Sequence, residues 1–157
     1  MKRRFRLTSI VALIVLVLIL GVFALYNSSL AQAHTTRVVH VVEHAITDTE
    51  VPAKDALGNQ LVFHNPVFDA ANKKQVGQDN GNCVRTVVGK VWECFWTVFL
   101  PAGQITVEGP YYDNGTDSLL AITGGTGSYQ TVRGQMKLHA RGNPVGSEYD
   151  FIYTLAN

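Results

Sequence analysis

The sequence predicts an all-β protein, an eight-stranded antiparallel up-and-down β-barrel with an apolar cavity, preceded by an N-terminal signal or anchor segment. Three observations favour this class. About eight short runs rich in β-branched and aromatic residues follow one another at hairpin spacing, with turn residues between them. No segment of the barrel region has helical spacing. Several runs are apolar on both faces, which favours a closed barrel over a sandwich, because a barrel buries one face inside and offers the other to a partner.

The first 33 residues have the order of an export signal. A basic cluster at Lys2–Arg6 precedes an apolar run at Ile10–Leu25, and the small residues Ala31-Gln32-Ala33 place cleavage after Ala33. The apolar run falls short of the roughly 20 residues that comfortably span a bilayer. The alternative is an uncleaved anchor, which would be the protein's only link to a membrane. We therefore expect a signal peptide or membrane anchor at residues 1–33, a barrel domain at residues 34–157, and a secreted or extracytoplasmic location.

The charge balance excludes nucleic acid as a partner. The chain has 13 Lys and Arg residues against 12 Asp and Glu residues, and four of the basic residues lie in the signal. Cleavage would leave nine basic residues against 12 acidic ones, without a basic run. Binding to nucleic acid depends on clustered Lys and Arg, so this class of partner is set aside.

The two cysteines fit an exported protein. Cys83 and Cys94 flank Val84–Glu93, which has Val88-Gly89 at its centre, so a hairpin would set the two sulfurs opposite each other. In an oxidising compartment we expect a Cys83–Cys94 disulfide. No His or Cys lies nearby at zinc spacing, so we predict neither a metal site nor a cofactor.

The predicted strands follow the apolar and β-branched runs of the mature chain. Pro66 marks a bulge or an edge in the second strand, because proline cannot donate a ladder hydrogen bond. The polar sequence Asp79–Asn82 is interpreted as a break in the third, and Thr47–Asn59 as a loop. The eight runs are Thr36–Ile46, Leu61–Phe68, Lys74–Gly77 resuming at Cys83–Val87, Val91–Leu100, Gln104–Tyr112, Ser118–Ile122, Val132–Ala140 and Glu148–Leu155.

Three glycines within Gly124–Gly127 predict a tight corner between two strands. A glycine-rich loop of this kind can also hold a phosphate, but a dinucleotide site needs a helix that starts at the glycines. The segment Tyr129–Gly134 has no helical period, so the corner interpretation is preferred.

Five sequence blocks resemble plant allene oxide cyclase and, more loosely, dirigent proteins. They are Leu61–Asn65, Lys73–Gly77, Ile105–Tyr111, Leu119–Gly127 and Gly134–Leu138. The resemblance extends over about Val39–Leu155. It implies an eight-stranded barrel that assembles as a homotrimer, with a hydrophobic cavity that takes an oxygenated, hydrophobic small molecule.

The resemblance also implies a site. Such cyclases hold a reactive allene oxide in a bent shape, bind its epoxide oxygen through an ordered water, and use a buried carboxylate to favour the developing cation. Glu43 matches the catalytic glutamate, Asn65 the water-binding asparagine, and Pro52 the proline whose carbonyl helps to hold the water. The matched pocket residues are Leu61, Phe63, Cys83 and Tyr111. Cys94 has no counterpart, and its pairing with Cys83 would remove that thiol from the pocket.

Alternatives stay open for the key residues. Glu43 either points into the cavity as a desolvated carboxylate or points outward in an ion pair with Arg37 or Arg85. Tyr111 and Trp96 are either pocket walls or ordinary core. Three functions are consistent with the sequence: an isomerase or cyclase, a dirigent-like or lipocalin-like barrel that binds and orients a ligand without chemistry, and a structural barrel with a filled interior. We predict the first, an intramolecular isomerase.

Overall fold

A computed structural model of the protein describes residues 15–19, 36–142 and 147–156. Residues 15–19 are helical. None of the helices within these ranges has the length and apolar character needed to cross a bilayer. The predicted cleavage site after Ala33 and most of the predicted signal lie outside the described residues. The chain divides into two compact units, Met1–His34 and Thr35–Asn157, and all the described strands belong to the second.

Eight antiparallel strands close into a barrel, and a short ninth strand adds to its edge, so the predicted fold class is confirmed. Neighbouring strands are consecutive from β3 to β9, β9 pairs with β1, and β1 pairs with β3 through Val41–Glu43 to close the ring. The extra strand β2 pairs only with β3. The strands are β1 Thr36–His44, β2 Thr49–Val51, β3 Gln60–Asp69, β4 Gln75–Val87, β5 Val91–Leu100, β6 Gly103–Tyr112, β7 Ser118–Gly125, β8 Arg133–Ala140 and β9 Glu148–Ala156.

The barrel interior is packed at one end and hollow at the other. Alternate residues point inward, as the two-residue period of a strand requires. At the packed end, Val98 of β5 lies opposite Ile105 of β6, and both are fully buried. At the other end of the same two strands, Trp92 lies opposite Tyr111, and both line a cavity.

The predicted break at Asp79–Asn82 is wrong, because β4 runs without interruption from Gln75 to Val87. The polar side chains of this segment alternate between two environments: Asn80 and Asn82 are exposed, whereas Asp79 is fully buried. Gly81 is required by close packing, since a Cβ added there would lie 2.4 Å from Trp96 Cβ. A turn-like composition therefore belongs to a strand whose inner face carries a buried carboxyl group.

Two further boundaries differ from the prediction. The predicted loop Thr47–Asn59 contains the short strand β2. The irregularity predicted at Pro66 is a register shift between Val67 and Phe68 on β3, one residue farther along.

The predicted glycine corner is present. β7 ends at Gly125 and a single 3-10 turn, Gly127–Tyr129, leads toward β8. Gly127 has φ of 59°, and a Cβ there would lie 2.6 Å from the carbonyl oxygen of Ala102, so both backbone angle and space call for glycine.

The predicted disulfide is confirmed. Cys83 of β4 and Cys94 of β5 are directly opposite each other, with Cα atoms 4.0 Å apart and the two sulfurs bonded. The bond ties two adjacent strands at the hollow end of the barrel, where both cysteines line the cavity.

Candidate functional site

The hollow end of the barrel encloses a cavity of about 250 Å³. Six aromatic residues line it, together with four carboxyl groups and one guanidinium group. The aromatic residues are Phe63, Trp92, Trp96, Tyr111, Tyr149 and Phe151. The charged residues are Glu43, Asp48, Glu50, Asp113 and Arg85. Such a chamber suits a flat apolar ligand that presents a few polar or charged atoms.

Asn65 organises one side of the cavity. Its Nδ2 atom donates to Glu43 Oε1 at 2.9 Å and to Asp48 Oδ1 at 2.7 Å. Its backbone N–H donates to Asp79 Oδ1 at 3.2 Å. The side-chain amide of Asn65 thus holds two carboxyl groups and its backbone N–H holds a third, and we call these four residues, Glu43, Asp48, Asn65 and Asp79, the polar wall.

The orientation of the Asn65 amide is fixed from the opposite direction. Its Oδ1 atom accepts hydrogen bonds from the backbone N–H of Ile46, the backbone N–H of Thr47 and the Thr47 hydroxyl, each at 3.0 Å. Because an amide oxygen can only accept, these three donors leave Nδ2 to face the carboxyl groups. The chain that follows β1 thus aims the amide at Glu43.

Glu43 and Asp79 form a carboxyl pair that shares a proton. Burial, reinforced by the Asp79 carboxyl beside it, holds the pKa of Glu43 well above its usual range. Burial also raises the pKa of Asp79, to about 7. Asp79 Oδ1 accepts from Asn65, and no N–H or hydroxyl donor of the described residues reaches Oδ2, which leaves that oxygen for the proton of Glu43. The raised pKa values keep the pair from carrying two full negative charges at neutral pH.

Asp48 extends the polar wall to the cavity entrance, where it stays in contact with solvent. Burial raises the pKa of Asp48, and its hydrogen bond from Asn65 acts in the opposite direction. The wall therefore runs from a buried pair to a carboxyl group that is exposed to solvent.

Two cavity tyrosines from non-adjacent strands are hydrogen-bonded to each other. The hydroxyl oxygens of Tyr111 on β6 and Tyr149 on β9 are 2.7 Å apart, and their rings meet edge to face. Burial raises the pKa of both phenols. Both therefore stay neutral at physiological pH and offer hydroxyl groups to a ligand oxygen.

Arg85 closes part of the rim of the cavity. Its guanidinium group lies 3.7 Å from the centre of the Trp92 ring and pairs with Asp55 at 2.7 Å and Asp113 at 2.5 Å. Trp92 Nε1 also donates to Asp113, at 3.2 Å. These contacts connect the loop after β2 and the turn after β6 to strand β4. Arg85 therefore has a structural role, and two carboxylates neutralise its charge.

Most of the sequence-predicted site residues meet at this cavity. Glu43, Leu61, Phe63, Cys83 and Tyr111 all line it. Glu43 points inward and is 5% exposed, so the alternative of an outward ion pair with Arg37 or Arg85 does not hold.

Asn65 and Pro52 occupy other positions. Asn65 lies behind the cavity surface, in contact with Glu43 and Asp48. Pro52 is exposed and is absent from the described cavity lining, and its carbonyl oxygen accepts a hydrogen bond from Asn59 Nδ2 at 3.0 Å. The carbonyl is thus occupied within the loop, and the structure does not bring it to the polar wall. Cys83 reaches the cavity as half of a disulfide, so it presents no thiol.

Sequence reasoning missed Asp79, Asp48, Glu50 and Tyr149. Asp79 carried a usable signal, because it lies four residues before Cys83 and so shares its face of a continuous strand. Asp48 and Glu50 come from the stretch after β1, whose path around the cavity is fixed by hydrogen bonds to Asn65 and Asn59. No local pattern marks that path. Over the described ranges, no group of three or more His, Cys, Asp and Glu residues is arranged to hold a metal ion.

The chain matches one protein family and aligns with several solved structures. A family model described as allene oxide cyclase matches residues 38–155. A solved structure described as pyocyanin demethylase aligns with a TM-score of 0.61 and 24% identity, covering 74% of this chain and all of that one.

Two further solved structures align over most of the chain. AbnU, an exo-specific intermolecular Diels-Alderase, gives a TM-score of 0.67 at 16% identity, covering 80% of this chain and all of that one. The pterocarpan synthase dirigent protein PsPTS1 gives 0.64 at 16% identity, covering 80% of this chain and 96% of that one. At identities this low, the similarity shows a shared fold and nothing about the reaction.

Proposed function

Because the chain belongs to the allene oxide cyclase family, we propose that it is an intramolecular isomerase or cyclase that acts on an oxygenated, hydrophobic small molecule. The observation that carries the proposal is the Glu43 carboxyl group at the wall of an aromatic cavity, held from behind by the Asn65 amide. A barrel that only bound a ligand would not need a buried carboxyl pair at its cavity wall, because burying carboxyl groups destabilises the fold.

The cavity supplies two kinds of assistance. The hydroxyl groups of Tyr111 and Tyr149 are hydrogen-bonded to each other, which leaves one of their two protons for a ligand oxygen. The remaining negative charge of the pair stabilises positive charge that develops on the carbon framework. Both effects are stronger in a chamber that excludes water than in bulk solvent.

The shape of the interior supports a bent ligand. The barrel is packed at the far end by residues such as Val98, Ile105 and Leu155, which are fully or almost fully buried. A long ligand cannot pass through the barrel and has to fold back within the hollow end. Holding a flexible molecule in one folded shape is itself a source of rate and stereochemical control.

The stereochemistry of a spontaneous reaction tests the proposal. The purified protein is offered a short-lived allene oxide, and the enantiomers of the resulting cyclopentenone are separated by chiral chromatography. We expect one enantiomer in excess, and we expect Glu43→Gln to abolish that excess because it removes the carboxyl group of the pair that lines the cavity.

Glu108→Gln is the matched control, since it makes the same chemical change on the exposed outer face of β6. It should leave the excess unchanged. A racemic product from the wild-type protein would reject cyclase activity on that substrate and would favour a dirigent-like barrel that binds a ligand without catalysis.

Export and assembly are part of the same proposal. The disulfide supports export, because such bonds persist in oxidising compartments. Apolar side chains at Val62, Val84 and Phe95 stand exposed on three consecutive strands, which supports burial between subunits of a homotrimer. Mass spectrometry of the exported protein should find His34 at its N-terminus, and light scattering should give three times the monomer mass. An intact N-terminus or a monomeric mass would count against these two points.

A further inference from the structure

We propose that the cavity recognises a planar aromatic molecule that carries a delocalised positive charge. The inference goes beyond the proposed function: it uses the same cavity, but it concerns a second class of ligand, a rigid cation, in place of the flexible molecule that a cyclase would fold. Three features of the cavity lead to it: aromatic faces, carboxyl groups without counter-ions, and a guanidinium group that is already neutralised.

The aromatic walls favour flat, electron-poor ligands. Six aromatic residues line the chamber, and Trp96 is packed between the ring of Phe63 at 6.0 Å and that of Phe151 at 5.4 Å. The faces of such rings carry negative potential and attract cations within about 6 Å of the ring centre. A saturated, neutral chain would gain only the apolar contact.

Three of the four carboxyl groups that line the cavity, those of Glu43, Asp48 and Glu50, lack cationic partners among the described residues. Over residues 36–142 and 147–156, no Lys, Arg or His forms an ion pair with Glu43, Asp48, Glu50 or Asp79. Asp48 and Glu50 are held instead by neutral amides, from Asn65 at 2.7 Å and Asn59 at 2.7 Å. Asp48 and Glu50 therefore present negative charge at the cavity that no cation of the described residues neutralises, and a cationic ligand would complement that charge.

Arg85 does not make the cavity a site for anions. Its guanidinium group is bound by Asp55 and Asp113 and stacked on Trp92. An anionic ligand would have to displace one of those carboxylates while approaching the unpaired charges of the polar wall. Electrostatics thus favours a cation over a neutral ligand and a neutral ligand over an anion.

The cavity volume sets the size of the ligand. An apolar cavity of about 150 Å³ accepts one benzene ring. The chamber measures about 250 Å³, which suits about two or three fused rings.

Three bicyclic probes test the charge preference: N-methylquinolinium as the cation, its neutral isostere 1-methylnaphthalene, and 1-naphthoate as the anion. Affinities are measured by calorimetry on the purified protein. Quenching of tryptophan fluorescence locates the binding, because the chain has two tryptophans, Trp92 and Trp96, and both line the cavity. We expect N-methylquinolinium to bind at least about tenfold more tightly than 1-methylnaphthalene, and 1-naphthoate to bind most weakly.

Variants assign the preference to the carboxyl groups. Asp48→Asn with Glu50→Gln should bring the cation and the neutral probe to similar affinities, while Glu108→Gln on the outer face should preserve the difference. Equal affinities for the two probes in the wild type, tightest binding of 1-naphthoate, or no binding of any probe would overturn the inference. So would a loss of the preference in Glu108→Gln equal to that in the double variant.

The outcome is separable from that of the enantiomer experiment. A racemic cyclopentenone together with an intact preference for the cation overturns the proposed cyclase alone. An enantiomeric excess together with equal affinities overturns the inference on ligand charge alone.

Discussion

Replacing Asn65 with aspartate tests the polar wall, because the change puts an oxygen in place of one nitrogen at the centre of the carboxyl groups. In the wild type, Asn65 Nδ2 donates to Glu43 Oε1 at 2.9 Å and to Asp48 Oδ1 at 2.7 Å. The substituted carboxyl must hold a proton to keep even one of these hydrogen bonds. If it ionised, like charges would face each other at those distances.

The magnitude follows from the free energy of holding that proton. An aspartate with its ordinary pKa of about 3.9 stays protonated at a cost of about 1.4 kcal/mol for each pH unit above that value. The cost is about 1.5 kcal/mol at about pH 5 and about 5.6 kcal/mol at about pH 8. Asn65→Asp should therefore lose up to about 4 kcal/mol more unfolding free energy, relative to wild type, at the higher pH.

Urea unfolding of the disulfide-bonded protein, followed by tryptophan fluorescence at the two pH values, provides the measurement. Gln135→Glu is the control, since it makes the corresponding amide-to-carboxyl change on the exposed outer face of β8 and should change stability by less than about 0.5 kcal/mol at either pH. A loss from Asn65→Asp that is equal at both pH values would refute the placement of its amide nitrogen between two carboxyl groups.

Three further predictions concern stability. The pKa values of the carboxyl pair lie above the ordinary values of about 3.9 to 4.3, so the unfolded state binds fewer protons than the folded state. The unfolding free energy of the wild type should therefore fall as pH rises from about 4 through about 7. A rise over that range in urea unfolding would contradict the shared proton. Replacing both Cys83 and Cys94 with serine should lower the unfolding free energy by about 3 kcal/mol, because the cysteines are 11 residues apart, and reductant should produce the same loss in the wild type but none in the variant. Gly81→Ala should cost about 1–3 kcal/mol, because its Cβ would lie 2.4 Å from Trp96 Cβ, whereas Gly124→Ala, whose nearest contact is at 3.4 Å, should cost less than about 1 kcal/mol; equal losses in urea unfolding would contradict this packing.

The sequence predicts the barrel well because its strands alternate clearly between buried and exposed residues. The run from Val91 to Leu100 buries Trp92, Cys94, Trp96 and Val98, as strict alternation requires. The pairing of Cys83 with Cys94 follows from the same periodicity on both sides of a short hairpin. Local pattern and global fold agree over these residues, and the prediction succeeds there.

The prediction fails in the part of β4 whose residues are more typical of a turn than of a strand. Asp79 belongs to a sequence of Asp, Asn and Gly residues that is typical of turns, yet it lies inside β4 as half of the carboxyl pair. A buried carboxyl conflicts with the usual composition of a strand interior, and such conflicts concentrate at functional sites.

The rim of the cavity could not be predicted for a different reason. Arg85 meets Asp55 and Asp113, which lie 30 residues before it and 28 residues after it, in loops that only the closed barrel brings together. No local periodicity encodes such a contact. The exposed position of Pro52, whose carbonyl is bound by Asn59, likewise depends on the folded path of the loop.

A crystal structure of the protein grown with racemic cyclopentenone product tests the central claim most directly, because it locates the ligand and reports its handedness at once. We expect density for one enantiomer inside the hollow end of the barrel, with its oxygen within hydrogen-bonding distance of Glu43 or of the tyrosine hydroxyls. Density for both enantiomers in equal amounts, a ligand bound outside the barrel, or a chamber filled by its own side chains would contradict the account.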